Sequence, residues 1–108
     1  MKNAINVLIG EPFVGETKFH VGDTLKYAKF PSGERLLVTS IEVQQVNPWN
    51  TCVVYNLDSN RHGYSWGYKE VIEEEGYFEV VESDMEMRKI FDELVERVKT
   101  GKLTRLEA

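Results

Sequence analysis

Residues 35–57 read RLLVTSIEVQQVNPWNTCVVYNL, and the way this stretch divides decides the fold. Val38, Ile41, Val43, Val53, Val54 and Tyr55 place β-branched and aromatic side chains in two runs, residue types that suit a pleated, half-buried surface. Asn47, Pro48, Trp49 and Asn50 stand between the runs. Pro pre-sets φ and Asn bonds to nearby backbone, so these four residues read as a turn. Two strands, Arg35 to Val43 and Thr51 to Leu57, joined this tightly are antiparallel. In the second, Val53, Tyr55 and Leu57 share one face, and Cys52 and Val54 lie on the other. A strand with apolar residues on both faces belongs inside a sheet.

Toward the N-terminus, Leu25 and Tyr27 alternate with polar neighbours within Phe19 to Lys29, which gives a further strand entered through Gly22 and Asp23. Pro31, Ser32 and Gly33 turn the chain after it. Residues 1–18 read as an N-terminal arm, in which Ile5, Val7 and Ile9 alternate as in a short strand before Gly10, Pro12 and Gly15 break the pattern. Toward the C-terminus, Asp58 to Gly63 form a polar loop and Tyr64 to Tyr68 a short aromatic strand interrupted by Gly67. Glu73 to Gly76 make a turn, and Tyr77 to Val81 is the closing strand. Short strands separated by tight turns fit an antiparallel barrel or sandwich.

The last element is a helix over residues 83–101. Ser83 and Glu86 have the spacing of a capping box. Met87, Ile90, Phe91, Leu94, Val95 and Val98 form one apolar stripe. Gly101 is placed to end the helix, and residues 102–108 should fray. The stripe needs a cover: the chain's own strands, or the same helix of a second copy in a homo-oligomer.

The fold class that follows is mainly β, of the α+β type, with the arm over 1–18, a β unit over 19–82 and one C-terminal amphipathic helix. With 108 residues and 42% hydrophobic content, the chain can bury one self-sufficient core without a metal or disulfide. Cys52 is the single cysteine, which excludes an intrachain disulfide and points to a reducing compartment. The start has an apolar run of only Val7 to Ile9, too short for a signal-peptide core, and no stretch approaches the length of a membrane span. A cytoplasmic location without membrane contact is expected.

The formal net charge is −5, yet Glu70, Glu73, Glu74, Glu75, Glu79, Glu82, Asp84 and Glu86 fall in one stretch free of Lys and Arg. This stretch would repel a phosphate backbone, so direct nucleic-acid binding is disfavoured. Asp84 and Glu86 oppose the helix dipole favourably. Glu73, Glu74, Glu75, Glu79 and Glu82 are read either as a solvated turn and strand or as an electrostatic surface for a host protein with a basic surface.

Sites for chemistry are weak. Gly63 to Gly67 match G-x-S-x-G, but no helical pattern follows as a nucleophile elbow requires. Asp58, Asn60, His62 and Gly63 are spaced like the start of a calcium loop, with His and Lys69 where oxygen ligands are needed. His20, Cys52 and His62 match no zinc spacing. Cys52, flanked by Val53, reads as an inert packed thiol. No cofactor, metal site or enzymatic activity is therefore expected. The aromatic set carries more. Trp49 sits in a turn, and Tyr64, Trp66 and Tyr68 alternate on one face of a strand, where Trp and Tyr favour recognition.

Residues 20–27 (HVGDTLKY), 34–43 (ERLLVTSIEV), 51–58 (TCVVYNLD), 63–72 (GYSWGYKEVI) and 77–81 (YFEVV) together resemble the strand order of small SH3-like barrels. The resemblance covers residues 19–82 and implies a five-stranded SH3-like barrel. It carries no site residues, because such barrels bind different ligands through different surfaces. In size and composition the chain is also similar to short proteins of phages and other mobile elements of Gram-positive bacteria. The expectation is a non-catalytic protein-binding module, an inhibitor or adaptor acting on a host protein. Two alternatives stand beside it: a small-molecule or nucleotide-binding protein with an aromatic face at a subunit interface, and a virion or scaffold component.

Overall fold

A computed structural model describes residues 11–29, 33–59 and 63–100. The strands are β1 (Glu11–Pro12), β2 (Asp23–Tyr27), β3 (Leu36–Asn47), β4 (Asn50–Ser59), β5 (Gly63–Tyr68) and β6 (Phe78–Ser83). A helix α1 (Lys69–Ile72) precedes β6, and α2 (Met85–Lys99) follows it. Among the described residues six strands form one sheet in the order β5-β4-β3-β2-β6, with β1 also on β3. All pairings are antiparallel. The mainly β, α+β class is thus found.

The expected five-stranded SH3-like barrel is not. β5 and β6 end opposite sides of the strand order and do not pair with each other, so the sheet is not closed. Ile5 to Ile9, the Pro31–Ser32 part of its turn, His62 and the Gly101 cap lie outside the described residues. The arm is partly in the sheet: Glu11 and Pro12 pair with Val43 and Glu42, and the Phe13 N–H donates to the Ile41 carbonyl at 3.0 Å.

The central hairpin forms where its turn chemistry places it, with Asn47 opposite Asn50. β3 continues beyond Val43 because Gln44 and Gln45 pair with Cys52 and Thr51; a backbone ladder needs no apolar side chain. Directly opposed residues share a sheet face, so the register separates the two sides. On the core side lie Leu36, Val38 and Ile41 of β3, Tyr55 and Leu57 of β4, and Leu25 of β2, packed with Phe19, Val21, Ile72, Phe78 and Phe91. Leu25, Val38 and Tyr55 have no exposed surface, and such burial contributes about 1.5–3 kcal/mol per aliphatic side chain.

The helix packs on this core, with Phe91 and Leu94 buried and Met87 and Val95 partly so. The chain's own core thus covers part of the stripe, whereas Ile90, read as part of it, is exposed. The cap also differs. Asp84, not Ser83, is the N-cap, and its Oδ1 accepts from the N–H groups of Glu86 and Met87, each at 3.1 Å. Ser83 ends β6, where its hydroxyl donates to Asp23 Oδ1 at 2.7 Å. Gly22 makes this junction possible. Its φ is 98° and its carbonyl accepts from the Asp84 N–H at 2.8 Å, and a Cβ there would lie 2.4 Å from the Asp84 carbonyl oxygen.

Candidate binding surface

β5 is short, regular and terminal. Its six residues pair without a register shift, from Ser59 opposite Gly63 to Val54 opposite Tyr68. Gly67 sits where a Cβ would come 2.7 Å from Ile72 Cδ1, so the strand can lie close over α1. Trp66 and Tyr68, on the face away from the core, are 54% and 51% exposed. With Gln44, Val54 and Gly67 they line a depression of about 340 Å³. The side chain of Tyr64 lies outside the described residues.

The register aligns two rows across this outer face. Glu42 of β3, Val54 of β4 and Tyr68 of β5 form one; Ser40, Asn56 and Trp66 form the other. Both rows begin in buried polar groups. Glu42 is fully buried and its Oε1 accepts from Gln44 Nε2 at 2.5 Å, while Asn56 Nδ2 donates to Ser40 Oγ at 2.6 Å. Glu42 Oε2 and Asn56 Oδ1 are buried without a hydrogen-bond donor. Sequence reasoning passed over this cluster. Its one signal is Glu42 among β-branched residues, and polar residues on a strand ordinarily mark a solvated face.

Trp49 is 86% exposed in the β3–β4 turn. Tyr68 stands level with Val54, five residues along β4 from that turn, roughly 16 Å at strand rise. The two tryptophans therefore do not form a single patch.

The acidic set divides as well. Glu73, read as part of a solvated turn without a compensating cation, is a structural anchor. Its carboxylate accepts from the Tyr55 hydroxyl at 2.5 Å, the Lys18 N–H at 2.8 Å and Lys69 Nζ at 2.9 Å. Burial alone would raise its pKa, but these three donors together hold it below the ordinary carboxylate value. Burial, followed by the bond to Glu73, raises the Tyr55 pKa. Sequence reasoning missed this network because Tyr55 and Glu73 are distant in the chain. The i, i+4 spacing of Lys69 and Glu73 was its one local signal. Glu74, Glu75, Glu79 and Glu82 are exposed, and Glu79 lies 3.5 Å from Lys26 Nζ.

Cys52 is half-buried opposite Gln44. His20 is tied to Asp23, whose Oδ2 accepts from the His20 N–H at 2.9 Å. Among the described residues no cluster of three metal-binding side chains occurs, and no helix is long and apolar enough to cross a membrane. No family model, curated protein or solved structure matches the chain.

Proposed function

We propose that this chain is a non-catalytic protein-binding module, of the inhibitor or adaptor kind, whose partner docks on the outer face of β4 and β5. One observation carries the reading: two large aromatic side chains, Trp66 and Tyr68, are more than half exposed on one face of a terminal strand, beside a depression floored by Val54. Burying rings of this size in a partner's surface supplies much of the energy of a typical recognition site. The exposed Glu74, Glu75, Glu79 and Glu82 would steer a basic partner toward the molecule. The best-formed polar cluster, Tyr55 with Glu73 and Lys69, is engaged in holding α1 to the core, which favours binding over catalysis.

The test compares the immobilised wild-type chain with a Trp66→Ala, Tyr68→Ala variant shown to be folded by circular dichroism. A protein retained by the first and lost by the second supports the reading. Equal retention by both removes it.

A further inference from the structure

The two ends of the sheet are built differently. β6 carries Glu79 and Glu82, and its register with β2 breaks so that Val81 has no opposite residue. Charges and a bulge are devices that keep an edge strand from pairing with another chain. β5 has neither. Its sequence, GYSWGY, contains no charged residue and no proline, its register with β4 is unbroken, and its other edge pairs with no strand among the described residues. Alternate residues along that edge direct their N–H and C=O groups away from β4, so they form a template for one more strand.

The chemistry beside this edge is negative as well as aromatic. Trp66 and Tyr68 lie exposed on the outer face. Asp58 is on the same face by alternation, and Glu70 is exposed on α1. The neighbouring cation, Lys69, is held by Glu73 at 2.9 Å. An exposed Trp and Tyr above carboxylates favour a guanidinium or ammonium group stacked on the rings.

We propose that the outer edge of β5 takes up an extended segment of a partner protein by strand addition, with arginine or lysine at alternate positions lying over Trp66 and Tyr68. This deepens the reading of the aromatic face as a docking surface and rests on it. Main-chain hydrogen bonds to β5 supply affinity, and the alternation of side chains supplies selectivity. A second copy is a poorer occupant than a basic strand, because β5 brings no cation of its own to the rings.

The probe is a short synthetic peptide alternating arginine with valine, followed by the emission of Trp66 in a Trp49→Phe background and by amide hydrogen exchange of β5. Saturable binding with slowed exchange at β5 is expected. Methylating alternate backbone nitrogens of the peptide should weaken binding by about tenfold or more, as should exchanging its arginines for glutamates. Equal binding of the methylated peptide, with loss of binding in the Trp66→Ala, Tyr68→Ala variant as read by hydrogen exchange, would overturn strand addition while leaving the aromatic docking surface in place. Binding indifferent to both changes would overturn both, and no binding at all by the arginine peptide would overturn the uptake of a basic strand while leaving the docking surface to the retention experiment. Slow β5 exchange without peptide, in a dimer seen by sedimentation, would assign the edge to a second copy and overturn the proposal.

Discussion

The hydroxyl of Tyr55 donates to the Glu73 carboxylate across 2.5 Å, from a tyrosine with no exposed surface of its own. The same phenol oxygen accepts weakly from the Phe19 N–H at 3.4 Å. A central strand, the segment leading into β2 and the turn after α1 thus converge on one carboxylate. Its second and third ties are Lys18 and Lys69.

Glu73→Gln should therefore destabilise the protein, by about 1–3 kcal/mol, because buried donors lose a charged acceptor. Glu74→Gln and Glu75→Gln, both at exposed positions, should stay within about 0.5 kcal/mol of wild type. Urea unfolding of the three single variants checks the contrast. Equal midpoints would mean that the network does not bear on stability.

The same carboxylate sets a pH dependence. Its folded pKa is lowered, so its contribution is present above the ordinary Glu value of about 4.3 and is lost as pH falls through the folded value. Tyr55 is raised, so its contribution is complete below about pH 10 and is lost as pH rises through the folded value. Unfolding midpoints should fall at both extremes. Glu73→Gln should flatten the acid limb and Tyr55→Phe the alkaline one.

At the helix start, Asp84→Ala should cost about 0.5–2 kcal/mol through loss of the cap, and Asp84→Asn much less. Ser83→Ala should also destabilise, but for another reason: Asp23 Oδ1 loses its donor inside a largely buried site. Combining Ser83→Ala with Asp23→Asn should therefore give strong non-additivity, whereas Ser83→Ala with Asp84→Ala should be closer to additive. Thermal denaturation of the two double-mutant cycles measures both.

Leu94 is buried against the chain's own core. Leu94→Ala should cost about 2–5 kcal/mol, with a mass by light scattering equal to that of the wild type. A fully stable variant of reduced mass would instead place the helix at a subunit interface.

The features legible in the amino-acid sequence are local. Alternation over Leu25 to Tyr27 and Val53 to Leu57, a Pro-Trp turn between matched runs, and an apolar stripe from Met87 to Val95 each follow from periods and dihedral preferences set within a few residues. Those features specify antiparallel strands and a terminal helix. Tertiary structure decided which groups meet across long separations. The cap passed from Ser83 to Asp84 because Asp23, sixty residues away in sequence, claims the serine hydroxyl. α1 carries only one buried side chain, Ile72, too few for a periodic signal, and it stands where Tyr55 reaches Glu73. The sheet stayed open because edge pairing is a relation between strands, which no single strand's sequence states. For the same reason Trp66 and Tyr68 could be placed on one face in advance, but their exposure at an unprotected edge could not.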